Sequence, residues 1–328
     1  AFGVTQTGFY LEDGQVKCHL CPHGCSISLG KYGLCNVRKN EKGKLYSLNY
    51  EVIMAYNLDP IEKKPLYHFY PGSRIFSIGS AGCNLNCDFC QNWSTVHGQP
   101  SGTIITSKEI AKIAELENQN IGIAYTYNEP SIWYEFIYDT SVLVHKKGLK
   151  NVIVTNGFIQ REPLMQLLPY TDAMNIDLKS FNDAFYHDLC GGRLSPVKET
   201  IQTAAKYCHL EITTLVIEGL NDSIKEIKKL SQWISQIRPD IPLHLSRYFP
   251  AYKMQRAPTS VDVLYSAQEE AKKYLEYVYV GNVQGADRNT YCPQCGCKII
   301  DRSFVVDLQN IDEEKRCKEC GKEISVVM

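Results

Sequence analysis

The stretch Gly82-Cys83-Asn84-Leu85-Asn86-Cys87-Asp88-Phe89-Cys90-Gln91-Asn92-Trp93 follows almost directly on the apolar run Arg74-Ile75-Phe76-Ser77-Ile78-Gly79. Its three cysteines are spaced Cys-x3-Cys-x2-Cys, one thiolate too few to close a tetrahedral structural site. A four-iron cubane held by three thiolates instead leaves one iron free for a further ligand. The competing reading is a zinc site that takes a fourth thiolate from elsewhere in the chain. Position favours the cluster: the motif leaves the end of a strand-like run, and the C-terminal ends of parallel strands are where barrel enzymes keep their chemistry.

Outward from this motif, between Arg74 and about Val283, short apolar runs alternate with amphipathic segments, the pattern of repeated βα units and a parallel sheet. The expected strands are 74–79, 121–127, 151–155, 173–178, 211–217, 243–248 and 277–281. That is fewer than the eight of a closed barrel, so the expected fold is α/β, a partial (β/α)6-type TIM-like barrel of parallel strands. Thr106-Ser107-Lys108-Glu109 reads as a capping box opening a helix to about Asn118. Asp222 is expected to cap a helix on which Ile224, Ile227, Leu230 and Ile234 recur at helical spacing. Residues 1–70 read as a Cys-rich N-terminal module, 71–288 as the partial barrel and 289–328 as a zinc-ribbon or rubredoxin-like knuckle domain.

The 328 residues suffice for one barrel-sized domain with appendages, and 44% hydrophobic with 22% charged residues is a globular composition. The net charge of −1, without a basic stretch, gives no electrostatic footprint for nucleic acid. No apolar run approaches the roughly 20 residues of a membrane span, and the first residues, Ala1-Phe2-Gly3-Val4-Thr5-Gln6, do not read as a secretion signal. The expected location is the cytoplasm. The 14 cysteines fall into three clusters plus Cys190 and Cys208, and clustered thiols in a long chain point to metal rather than to disulfides.

Cys292-Pro293-Gln294-Cys295-Gly296 and Cys317-Lys318-Glu319-Cys320-Gly321 are two C-x2-C-G knuckles, the ligand set of one tetrahedral ion, zinc or a single iron. A domain of under about 40 residues needs such a staple to fold. Cys297 is a spare thiol beside it. The N-terminal set, Cys18, Cys21, Cys25 and Cys35, closes either a zinc site or a second iron–sulfur cluster, and spacing does not choose between them.

Polar residues at the expected strand ends form a rim. Asn128 and Glu129, in Thr126-Tyr127-Asn128-Glu129-Pro130, can receive an ammonium group, and Pro130 suits the first turn of a helix to His145. Thr155 and Asn156 end the next strand. Asp177 and Lys179 alternate with Leu178, share one strand face and act together or as an internal ion pair. His244 and Ser246 point one way, and Arg247 holds either a carboxylate or phosphate ligand or a structural salt bridge. Cys190, in Leu189-Cys190-Gly191-Gly192-Arg193, is placed in a flexible loop, as a radical or proton donor or as a quiet half-buried thiol.

The cysteine motif, with the aromatic Phe89 before its third cysteine, resembles that of the radical S-adenosylmethionine (SAM) enzymes. The resemblance implies that SAM chelates the open iron of a 4Fe–4S cluster and is cleaved to methionine and a 5'-deoxyadenosyl radical. It also implies that the loop at 127–129, usually Gly-Gly-Glu, receives the SAM amino group, which makes Glu129 the expected partner. The segments at Thr155 and Asp177 resemble those of glycyl-radical-enzyme activases, where ribose hydroxyls and the SAM carboxylate lie. With Ile217-Glu218-Gly219-Leu220-Asn221-Asp222, the run 247–252, the N-terminal cysteines and the knuckles, nearly the whole chain resembles the radical SAM member of the AmmeMemoRadiSam group, a relative of pyruvate formate-lyase activating enzyme.

What this implies is hydrogen abstraction from a protein or small-molecule substrate, fed by a reductant such as ferredoxin or flavodoxin and sensitive to air. Memo-like and AMMECR1-like proteins are implied partners by association. Two other readings stand beside it: installation of a glycyl radical on a partner enzyme, and a non-catalytic iron–sulfur carrier or scaffold.

Overall fold

The computed structural model describes residues 4–12 and 16–328; Ala1 to Gly3, part of the N-terminal stretch read above, lie outside the described residues. The centre is an eight-stranded sheet made of β1 (Ala55–Pro60), β2 (Arg74–Gly79), β3 (Asn120–Tyr125), β4 (Lys150–Thr155), β5 (Ala173–Asp177), β6 (His209–Val216), β7 (Leu243–Arg247) and β8 (Val278–Gly281), hydrogen-bonded in that order. From β2 to β8 every neighbouring pair is parallel. Only β1 runs antiparallel, Ala55 opposite Gly79 through Pro60 opposite Arg74. All seven strands expected from the sequence are present, with ends shifted by at most two residues. β1 is the addition, contributed by the stretch before residue 70.

Six helices make the crossovers: α1 (Ser107–Leu116), α2 (Tyr134–Lys146), α3 (Arg161–Leu167), α4 (Leu194–Ala204), α5 (Ile224–Ile237) and α6 (Val261–Ala271). The capping box forms as read: Thr106 Oγ1 accepts from Glu109 N while the Glu109 carboxylate accepts from Thr106 N. The cap of α5 is Ser223 and not Asp222. Ser223 Oγ accepts from Glu226 N, whereas Asp222 is drawn back to accept from Gly219 N at 2.8 Å in the preceding turn. Ile227, Leu230 and Ile234 of this helix are buried, and Ile224 is exposed.

The sheet is buried on both faces, as a parallel sheet covered by helices must be, with Ile78, Ile123, Val152, Ile176, Ile212 and Leu245 all at 3% exposure or less. Residues past the ends of β2 and of β8, the outermost parallel strands, line one cavity, so the sheet curves around it.

Two small modules clasp this sheet. The N-terminal one contains short antiparallel pairings, Tyr10–Glu12 with Val16–Cys18 with Ser26–Ile27, and Thr5–Gln6 with Lys44–Ser47 with Arg38–Glu41. The C-terminal one contains β9 (Thr290–Tyr291), β10 (Lys298–Asp301) and β11 (Asp307–Leu308) over its own core of Ile299, Ile300, Ile311, Ile324 and Val326. Its tail is strapped to the segment between β1 and β2: Val327 N donates to His68 O, and Tyr70 N to Val327 O. Among the described residues no helix is long and apolar enough to cross a membrane.

Candidate functional site: three thiols at the mouth of a curved sheet

The loop leaving β2 starts with a forced close approach. A side chain at Gly79 would place a Cβ 2.5 Å from Thr126 O, so only glycine lets the chain turn past the end of β3. Asn128 then holds the turn, accepting from Ser80 N through Oδ1 and donating through Nδ2 toward Ala81 O and Gly82 O. The cysteines follow. Cys83, Cys87 and Cys90 line a cavity of about 320 Å³ together with Phe89, Glu129, Thr155, Asn156, Asp177 and Lys179. Thus nearly the whole rim read from the sequence is brought to one place.

The hydrogen bonds explain how. Glu129, 3% exposed, accepts from Ser131 N (2.9 Å), Thr155 Oγ1 (2.5 Å) and Asn156 N (2.8 Å), tying the end of β3 to the end of β4. Burial raises its carboxyl above the ordinary value, and these hydrogen bonds offset only part of that. Asn156 Nδ2 reaches Cys83 Sγ at 3.6 Å and Asn84 Oδ1 at 2.9 Å, and Leu85 N donates to Cys83 Sγ at 3.4 Å. Lys179 Nζ pairs with Asp177 Oδ2 at 2.9 Å; burial works against its charge, but Asp177 and the nearby Cys87 and Cys190 sulfurs hold its pKa well above normal. Phe89 is buried against Phe185, the two rings tilted at 46°. Tyr127, at the first position of the loop, has φ of 71°, a left-handed conformation that glycine adopts without strain, and its hydroxyl is anchored on Asp59 at 2.9 Å.

Three expected residues lie elsewhere. Cys190 is not in a flexible loop: it ends a single π-helical turn, Tyr186–Cys190, closed by Gly191 at φ 68°, and it is fully buried. The turn's carbonyls, Cys190 O and Leu189 O, accept from Asn86 N and Asp88 N, so this turn backs the cysteine loop from behind. Arg247 donates through Nε to Thr259 O and stacks on Phe249; among the described residues it holds no salt bridge, and it does not line the cavity. His244 faces a second, polar cavity of about 840 Å³, which shares Thr213, Ser246 and Asn282 with the first.

His244 led to a residue the sequence reading did not single out. Glu211, fully buried on β6, accepts from His244 and His209 and from the backbone N of Tyr67 and His68. Burial alone would raise its carboxyl, yet the two histidine hydrogen bonds hold it well below the carboxylate range. A lone acid inside an apolar strand run, with a histidine two residues before it, was the available signal.

The model of the radical SAM superfamily matches residues 77–231. An uncharacterized protein of Methanocaldococcus jannaschii is 43% identical over 301 residues, spanning 89% of each chain. The chain belongs to the radical SAM superfamily. Pyruvate formate-lyase 1-activating enzyme of Escherichia coli K12 is 27% identical over 170 residues, 50% of this chain and 69% of that one. SuiB of Streptococcus suis, solved bound to S-adenosylmethionine, overlays on 62% of this chain and 48% of its own with a TM-score of 0.51 at 15% identity, a likeness of fold.

Members of the superfamily are enzymes, and membership implies SAM and a 4Fe–4S cluster. The residues present fit that group. Cys83, Cys87 and Cys90 open on a cavity, two N–H donors already point at Cys83 sulfur, and Lys179 lies beside Cys87. A single tetrahedral ion would draw its thiolates to within about 4 Å of one another. Among the described residues only Cys292, Cys295, Cys317 and Cys320 gather their ligand atoms within 4.8 Å, as one ion requires. Gly296 and Gly321, both with left-handed φ near 75°, donate back to Cys292 O and Cys317 O, so the two knuckles are copies of one turn. Cys297 Sγ lies 3.2 Å from Cys317 Sγ, beside the set. None of the 14 cysteines, all among the described residues, is in a disulfide.

Proposed function

We propose that this radical SAM protein cleaves SAM reductively and uses the resulting radical to take a hydrogen atom from a polar substrate. Cys83, Cys87 and Cys90 would hold the 4Fe–4S cluster, which would supply an open iron and the electron for breaking a carbon–sulfur bond of the sulfonium. Asn156 and Leu85 hold Cys83 by their N–H groups, and the Cys190 and Leu189 carbonyls hold Asn86 and Asp88 on either side of Cys87, which fixes the loop before any ligand arrives. Glu129 retains lone-pair capacity for one more donor and is the residue for the SAM ammonium. Lys179, kept charged by Asp177, is the residue for its carboxylate. Thr155 and Asn156 flank the ribose side.

The polar cavity beside the SAM pocket is the substrate's entrance on this reading. Glu62, Lys63, His244, Arg288 and Arg302 line it, which suits a charged small molecule or a peptide segment over an apolar one. The observation that carries the reading is the convergence of three thiols and six rim residues from four strand ends on one cavity. Anaerobic reconstitution with SAM and a strong reductant tests it: 5'-deoxyadenosine is released by the native chain and not by the Cys83→Ala, Cys87→Ala, Cys90→Ala triple variant. Absence of release from a native chain with a reducible cluster would leave the iron–sulfur carrier reading.

A second reading has its own support, the similarity to pyruvate formate-lyase 1-activating enzyme: the hydrogen is taken from a glycine of a partner protein. A glycyl radical signal on a co-incubated partner separates the two. The AmmeMemoRadiSam resemblance makes Memo-like and AMMECR1-like proteins the first candidates to co-incubate. Zinc in the knuckles and a cytoplasmic location complete the proposal, the latter supported by the free thiols.

A further inference from the structure

Cys18, Cys21, Cys25 and Cys35 lie far from Cys83 in sequence but against its loop in space. Cys18, Cys21 and Cys35 are buried; Cys18 N donates to Cys25 O at 2.9 Å, and Gly33, two residues before Cys35, packs against Cys25 Sγ. They do not gather within 4.8 Å of one another as the knuckle thiols do. Two buried nitrogens beside them find no partner among the described residues: the donor Arg38 Nε, on a side chain 1% exposed, and His19 Nε2, which donates in one of its two tautomers. The Arg38 guanidinium is otherwise committed to Glu135 through Nη1 at 3.0 Å and Nη2 at 2.6 Å, and its charge acts on Cys18 and Cys35. An anionic group with acceptors beyond four thiolates, such as the sulfides of a cubane, satisfies these donors.

Contact with the Cys83 loop is direct. Gly82 passes so close to the N-terminal module that a Cβ there would meet Val37 at 2.8 Å and Cys35 O at 3.0 Å. His23, two residues from both Cys21 and Cys25, lies with Nε2 2.6 Å from Asn84 O, the residue after Cys83. Asn84 in turn donates to Phe158 O, on whose ring His23 packs at 5.0 Å.

We infer that Cys18, Cys21, Cys25 and Cys35 hold a second iron–sulfur cluster that passes electrons to the Cys83 cluster. This rests on the radical SAM reading of the Cys83 loop. One electron moves from a reduced carrier protein to the N-terminal cluster, which is thereby reduced. That cluster is reoxidised as the electron passes to the Cys83 cluster, where it is consumed in SAM cleavage. The donor is an acidic one-electron carrier. Lys17, Lys31, Lys42 and Lys44 of the N-terminal module are exposed against the single carboxylate of Glu41, and Leu34, next to Cys35, is 66% exposed among them.

Metal content decides the site independently of SAM chemistry. The Cys83→Ala, Cys87→Ala, Cys90→Ala variant, reconstituted without oxygen, retains about four iron and four sulfide per chain, and adding Cys21→Ser and Cys35→Ser removes them. An iron-free triple variant carrying a second zinc overturns the inference. As a guard against misfolding, Cys18→Ser with Cys21→Ser in the otherwise native chain keeps the SAM-perturbed spectrum of the Cys83 cluster while total iron falls by about half. In that variant 5'-deoxyadenosine release driven by reduced flavodoxin drops at least about tenfold, while release driven by dithionite stays within about twofold. Equal loss, or no loss, in the two arms overturns the relay.

Discussion

The C-terminal knuckles and the Cys83 loop use the same ligand and arrange it in opposite ways. In the knuckles two identical C-x2-C-G turns face each other, bring four sulfurs within 4.8 Å and open on no cavity among those described. In the Cys83 loop three sulfurs line a cavity, Cys83 held by Asn156 from the end of β4 and the loop backed by the turn that ends at Cys190. A closed set fulfils its ligand by itself and stabilises a small domain; an open set leaves a valence for chemistry and needs the whole sheet to position it. Function therefore follows from what the thiols face more than from their number.

The largest effect breaks this contrast if it is wrong. Cys87→Ala is expected to reduce 5'-deoxyadenosine release to background, whereas Cys292→Ser with Cys320→Ser loses the bound ion and makes residues 289–328 sensitive to protease with SAM cleavage still measurable. The readouts are nucleoside release and limited proteolysis on the same preparations. If the knuckle variant, with its Cys83 cluster intact by absorbance, also falls to background, the C-terminal site is part of the reaction centre and the contrast fails.

A smaller effect sharpens the account of the open site. Glu129→Gln keeps the size of the side chain and its contacts to Thr155, but loses the charge offered to an ammonium group. SAM affinity is expected to weaken roughly 10- to 100-fold, the usual effect of altering a group that orients a metal site's ligand, with cluster iron unchanged. Titration of SAM into the reduced protein, followed by its spectrum, measures this. Unchanged affinity would restrict Glu129 to joining β3 and β4.

Much of this was legible in the sequence, because parallel strands buried on both faces write themselves as short apolar runs and knuckles as C-x2-C-G. What stayed hidden was long-range or disguised. β1, Ala-Tyr-Asn-Leu-Asp-Pro, is an edge strand with a mostly exposed face and a terminal proline, so it carries no apolar run and reads as loop. Cys190 was misplaced because Gly191-Gly192 suggests a loop, whereas Gly191 is the left-handed residue that ends a helical turn. Glu211 makes sense only once His244, 33 residues on, is known to lie against it. Arg247 reads in the sequence as holding either a ligand or a salt bridge, since nothing local announces that Thr259 O will take its Nε–H.

The smallest effect concerns how firmly the two regions are joined. His68 is fully buried between them, with Nδ1 2.6 Å from Ser325 O and Nε2 2.6 Å from Tyr279 OH, which itself reaches Thr290 Oγ1. Ser325 O can only accept, so the proton sits on Nδ1 and Nε2 accepts from the tyrosine; a second proton would oppose that contact. Burial lowers the histidine's pKa to about 4, against 6.5 for the free side chain. Folded-state pKa below the unfolded value means that this neutral histidine costs nothing above pH 6.5, and that stability declines as acid protonates the unfolded chain first. The loss accumulates from about pH 6.5 down to about pH 4, at most about 3 kcal/mol. In His68→Gln, which can keep one donor and one acceptor in place, the decline in that window is expected to be shallower. Denaturant unfolding at pH 7 and pH 5 for both chains measures the difference, which cancels the carboxylates they share. Release of the 289–328 module by protease at pH 5 is expected to follow the same order, native chain before variant, and equal pH slopes would remove His68 as the acid-sensitive link between the closed site and the sheet that carries the open one.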